Sequence, residues 1–170
     1  MQNIKSILLG LVLSVATLTL KADDNWILTL SGSGTSGLQS KNDLPSGITD
    51  TALGVNVGIG RTGKLLLPIE GGARQGFSWA SENDAKIFDT QLYFDAFPVK
   101  FKRFELGAGV NVGATYGNTP IVYSAGPEAV ARIWIKDDVG IQGRVSYPFD
   151  LGNQKLGDRL IYTLSLIVRF

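Results

Sequence analysis

Eight charged side chains recur along this chain at positions that share one face of an alternating pattern: Glu70, Arg74, Asp95, Glu105, Glu128, Arg132, Arg144 and Arg169. Carboxylates and guanidiniums gathered together can do two kinds of chemistry. They can neutralise one another in short, often bidentate ion pairs, or a carboxylate can serve as general acid or base. The chain contains no histidine. That removes the usual proton carrier at neutral pH and excludes serine–histidine catalysis. It contains no cysteine either, so no disulfide and no thiolate metal site can form. Asp137 and Asp138 are adjacent acids, but they fall in an expected tight turn and read as solvated turn residues. Gly32, Gly34 and Gly37 make a glycine-rich stretch without the lysine and following helix of a phosphate loop. It reads as a flexible outer loop. The expectation is therefore no catalytic residue, no cofactor and no metal, with the eight charges forming an ion-paired network.

The elements that must position these charges are strands. Alternate residues of a strand point to opposite faces, and two-residue alternation recurs after residue 22 without a sustained helical period. Gly, Asn, Asp, Ser and Pro clusters punctuate it. The expected strands lie at about 24–33, 50–60, 64–75, 87–97, 103–116, 125–136, 139–149 and 162–170. The fifth is the clearest. Phe104, Leu106, Ala108, Val110, Val112 and Ala114 face one way, and Glu105, Gly107, Gly109, Asn111, Gly113 and Thr115 the other. Pro68 falls inside the expected third strand, where a missing N–H is awkward. Trp134 shares a face with the charges, a second awkward point.

The amino-terminal residues carry a different signal. Lys5 precedes an apolar run from Ile7 to Leu20, followed by small residues and then Asp23, Asp24 and Asn25. This is the layout of a secretory signal peptide. The run is shorter than the roughly 17–25 residues of a membrane-spanning helix. The expected domains are a signal peptide over 1–22, cleaved after Ala22 or Ala16, and a single domain over 23–170. Cleavage after Ala22 removes two of the 16 basic residues and none of the 15 acids. With no basic excess left, nucleic-acid binding is not expected.

The final segment runs Tyr162-Thr-Leu-Ser-Leu-Ile-Val-Arg-Phe170. Tyr162, Leu164, Leu166, Val168 and Phe170 share one face. With its terminal Phe, this strand resembles the closing strand of bacterial outer-membrane β-barrels. In size, strand pattern and last strand, residues 23–170 resemble the OmpX-like family and the membrane domain of OmpA-like proteins. The resemblance implies an all-β, eight-stranded antiparallel up-and-down transmembrane barrel, exported through the periplasm to the outer membrane. It implies an assembly signal in Tyr162, Leu164, Leu166, Val168 and Phe170, read by the barrel insertion machinery. It also implies contact with outer-membrane lipid and lipopolysaccharide, a monomer, and a surface or structural role through outer loops at 32–50, 75–87, 117–124 and 150–158.

Strand arithmetic agrees, since a spanning strand needs roughly 9–11 residues. Short connections alternate with longer ones, as in such barrels. Aromatic belts are expected from Phe97, Phe101, Phe104 and Phe170 near the short turns, and from Phe77, Trp79, Tyr116, Tyr147 and Phe149 near the loops. Eight strands leave an interior that side chains fill, with inward glycines making room for the arginines. Two alternatives stay open: a narrow channel for ions or small solutes, and a secreted soluble barrel with its faces reversed around a small apolar ligand.

Overall fold

The alternation becomes nine β-elements: β1 (Trp26–Gly37), β2 (Thr51–Lys64), β3 (Pro68–Ala80), β4 (Ala85–Phe101), β5 (Phe104–Gly117), β6 (Val122–Trp134), β7 (Val139–Ser146), β8 (Phe149–Asp150) and β9 (Arg159–Arg169). The computed structural model describes residues 25–37, 51–80, 85–117, 121–152, 156 and 159–170. The signal-peptide expectation over 1–22 lies outside them, as do residues 38–50 of the first expected outer loop.

Every pairing is antiparallel, and the order β5-β4-β3-β2-β1-β9-β7-β6 closes through a β5–β6 ladder. β7 and β8 both pair with β6 and form one stave broken at Tyr147 and Pro148. The result is a closed barrel of eight staves, which leaves no exposed sheet edge. At the seam, the Trp26 and Phe170 backbones exchange N–H···O=C bonds of 2.9 and 3.0 Å.

The inward and outward faces agree with the sequence pattern. Leu28, Leu30, Val55, Val57, Leu106, Val110, Ile141, Leu164 and Leu166 are exposed on the outside, whereas Glu70, Asp95, Glu105, Glu128, Arg132 and Arg144 are buried inside. This inversion of ordinary burial is stable only when something apolar surrounds the outside. The alternative of an apolar-lined interior holding a greasy ligand does not hold, because the interior is charged.

Several boundaries differ from expectation. β3 begins at Pro68 rather than near 64, so the proline is the first residue of its strand, opposite Lys64 at the end of the β2 ladder, a position where a missing N–H is tolerated. Leu65, Leu66 and Leu67, read as strand, form the turn itself. Ile69, read as outward, lies on that parity yet is 7% exposed. The Gly32, Gly34 and Gly37 stretch is not a loop. It continues β1 and pairs with both β2 and β9, Gly32 opposite Val55 and Leu164. Two flanking ladders override its weak strand propensity. The seventh strand is interrupted where Pro148 has no N–H to donate.

In β4 the register slips between Ala96 and Val99. The extra residue is a β-bulge that holds Pro98; Phe97, just before it, keeps the inward parity of Gln91, Tyr93 and Asp95 and is 3% exposed. Phe97 is therefore not part of the short-turn belt. Trp26, Phe101 and Phe170 are exposed at that end. At the loop end, Phe77, Phe88 and Tyr116 stack in a row with ring centroids 5.2 and 5.8 Å apart, and Trp79 and Phe149 are exposed nearby in register.

Candidate functional site: the ion-paired lumen

Ladder register decides which charges meet. Glu70 on β3 lies opposite Asp95 on β4, then Gly109 on β5 and Glu128 on β6. Three acids thus share one row of the inner wall. Like charges directly opposite destabilise a sheet, so cations from other staves must reach this row. Arg132 on β6 crosses to Glu70 with an Nη2–Oε2 distance of 2.7 Å. Arg144 on β7 crosses to Asp95 at 2.8 Å and also pairs with Glu128. Arg74 on β3 crosses to Glu128 at 2.6 Å. Each arginine braces staves that are not neighbours in the sheet.

Polar neighbours complete the network. Arg132 donates from Nε to Gln142 Oε1 at 3.0 Å and pairs with Glu105 at 3.5 Å. Lys100, at the short-turn rim, pairs with Glu105 at 3.0 Å. Arg74 donates to Gln91 at 2.8 Å. Asn111 Nδ2 donates to Glu128 at 2.9 Å. The Tyr93 hydroxyl donates to Glu70 at 2.8 Å, while its ring lies beneath both Arg144 and Arg74, 4.7 and 5.2 Å from their guanidinium carbons. Thr115 and Gln91 both donate to Asp89. A buried charge needs this saturation, because an unpaired one costs several kcal/mol in a low dielectric.

Of the eight charges singled out in the sequence, seven meet in this column. Arg169 does not. Its guanidinium lies 3.9 Å from the centre of the Trp134 ring, and among the described residues no ion pair joins it to an acid. Trp134 faces the lumen, as its parity indicates. It packs with Ile27 and Ile167 in a small apolar cluster toward the short-turn end, with Arg132 5.5 Å from its ring. The cluster lies on the short-turn side of the ion pairs. Tyr93, Gln91, Gln142, Asn111, Asp89 and Lys100 complete the network and escaped the charge-based search. Inward parity was the signal for all of them except Lys100, which the bulge at Phe97 and Pro98 re-aims.

Glycines set how closely the braces approach. A Cβ on Gly72 would sit 2.7 Å from the Gly60 Cα and 2.7 Å from the Tyr93 hydroxyl oxygen, closer than real carbons come. Gly72→Leu is expected to cost about 1–3 kcal/mol and to displace Tyr93, read as a lower urea midpoint with an altered near-ultraviolet circular dichroism spectrum.

A cavity of about 10 Å³ lies between the arginines and a wall of small polar residues, Thr29, Ser31, Asn56, Thr163 and Ser165. That is room for about one water. Among the described residues no cluster of His, Cys, Asp or Glu is arranged to hold a metal ion. Asp137 and Asp138 lie exposed in the β6–β7 turn, where the Asp138 carbonyl accepts the Arg169 N–H at 2.7 Å.

Comparison with known proteins gives structural neighbours alone. No protein-family profile and no curated protein sequence matches the chain. Solved structures resemble it, among them these two. Neisserial surface protein A superposes with a TM-score of 0.56 and 12% identity, over 86% of this chain and 95% of that one. Outer membrane protein H from P. aeruginosa superposes with a TM-score of 0.52 and 17% identity, over 87% of this chain and 100% of that one. Both are small outer-membrane barrels, and the fold of this chain is that of an eight-stranded outer-membrane β-barrel.

Proposed function

We propose that this protein is a non-catalytic barrel of the bacterial outer membrane, closed along its axis, that acts as a structural or interaction element through its outer loops. The observation that carries this reading is the pairing of an apolar outer belt with a lumen crossed by three ion-paired arginines, Arg74, Arg132 and Arg144. The belt suits hydrocarbon, and the arginines fill the space a solute would need. Residues 1–22 supply the export signal, and the outward row Tyr162, Leu164, Leu166, Val168 and Phe170 on β9 is what the barrel insertion machinery reads. Outer-membrane lipid and lipopolysaccharide surround the belt, and one chain suffices because the sheet closes on itself. No cofactor is needed. The Arg159–Asp150 ion pair of 2.7 Å, with Leu156 N–H donating to Asp150 at 2.5 Å, braces the rim below the last outer loop.

Planar-bilayer recording on the purified protein tests the closed lumen. The expected trace shows no discrete conductance steps. Regular steps would overturn the plug and favour the narrow-channel reading, with the small polar wall of β1, β2 and β9 as the water path.

A further inference from the structure

The rim at the short-turn end combines two features that the closed lumen does not require. The β2–β3 turn is a run of three leucines, Leu65, Leu66 and Leu67, with Leu66 94% exposed. Turns of this kind normally carry Gly, Asn, Asp or Ser, so three exposed leucines need an apolar surrounding. Around them the rim is basic. Arg61, Lys64, Lys102, Arg103 and Lys136 lie on the three short turns or their flanks, against Asp137 and Asp138 as the acids of those turns.

Aromatic contacts fix the depth of two of these cations. The Arg61 guanidinium carbon lies 5.6 Å above the Trp26 ring, and Lys102 Nζ lies 5.4 Å above the Phe101 ring. Trp and other belt aromatics sit at headgroup level, which places their cation partners beside lipid phosphates. Lys and Arg also extend apolar stems along such a surface while holding their charge at the polar edge. Arg103 is held in place by donating to the Ile135 carbonyl at 2.6 Å, so its charge is presented from a fixed point rather than a free arm.

We infer that this rim is a lipid-binding surface: the leucine turn dips into the edge of the adjoining leaflet while Lys64, Lys102, Arg103 and Lys136 bind the phosphates of anionic diacyl phospholipids. The inference rests on the membrane-barrel reading above and extends it to a chosen lipid class. Charge complementarity selects the occupant. Basic groups near a surface attract anionic lipid over a range of about a Debye length, about 8–10 Å at moderate salt.

The absence of cysteine permits a unique label. Leu66→Cys carrying an environment-sensitive fluorophore is reconstituted, as the membrane-extracted protein, into phosphatidylcholine vesicles with and without phosphatidylglycerol. Retention of heat-modifiable mobility shows that the barrel has inserted. The expected result is quenching by lipid-borne spin labels and protection from aqueous iodide, with protection several-fold greater when phosphatidylglycerol is present. In the background of Lys64→Gln, Lys102→Gln, Arg103→Gln and Lys136→Gln, that dependence should vanish. An inserted barrel whose label meets iodide freely in both vesicles would overturn the inference and make the turn a docking point for a protein. Equal protection in both vesicles would overturn the anionic assignment. A chain that fails to insert would overturn both this inference and the barrel reading.

Discussion

Arg132→Met is expected to destabilise the barrel by about 3–5 kcal/mol, the cost of removing one partner of a buried pair. Arg132 is nearly fully buried and holds Glu70, which is 0% exposed, together with Glu105 and Gln142. Without it the Glu70 carboxylate keeps, among the described residues, the Tyr93 hydroxyl at 2.8 Å as its hydrogen-bond partner. The loss should therefore belong mainly to the orphaned charge. Adding Glu70→Gln to Arg132→Met should recover part of it, since an uncharged amide is cheaper to bury than a lone carboxylate. Arg169→Met supplies the contrast. Its guanidinium stacks on Trp134 and has no ion pair among the described residues, so its loss should cost about 0.5–2 kcal/mol. Urea titration of the heat-modifiable form in detergent or lipid measures all three. An Arg132→Met midpoint within experimental scatter of the parent would show that the column carries no net structural role.

Leu164→Arg should be the second large effect. Leu164 is the middle residue of β9 and 66% exposed on the outward face. An arginine at the bilayer midplane of a barrel costs about 2–4 kcal/mol, falling to about 0–1 near the interfaces. Leu66→Arg, on the rim, should accordingly cost about 0–1 kcal/mol by the same scale. In water both positions would be ordinary exposed leucines, and both substitutions would fall within about 0.5 kcal/mol of neutral. The depth dependence separates a lipid-facing belt from a solvent-facing one. Folding yield into vesicles as a function of urea reads it directly.

Particular residues show what the sequence revealed. Strict alternation from Phe104 to Thr115 specified β5, its inward acid Glu105 and its inward glycines, because a period of two has a single structural reading over that length. Inward parity alone put Glu70, Asp95, Glu128, Arg132 and Arg144 in one lumen. Which acid meets which arginine was not legible, because cross-lumen partners depend on stagger between staves far apart in sequence, 62 residues for Arg132 and Glu70. Gly32 to Gly37 was misread because local propensity carries no knowledge of the β2 and β9 ladders beside it. Phe97 was misplaced because its closeness to the short turn outweighed its parity, which already aligned it with the inward Asp95; the bulge after it re-aims Lys100 instead. Arg169 was grouped with the ion pairs because charge type is visible in a sequence, whereas the ring of Trp134 as its partner depends on the β6–β7 and β7–β9 ladders that set Trp134 beside the end of β9.

Membrane fractionation followed by electrophoresis of unheated and boiled samples is the measurement closest to the central claim. The protein should be recovered with the outer membrane and should run faster unheated than boiled, because a closed barrel with paired charges inside resists detergent. Recovery in the soluble periplasmic fraction, with one mobility under both conditions, would contradict the account.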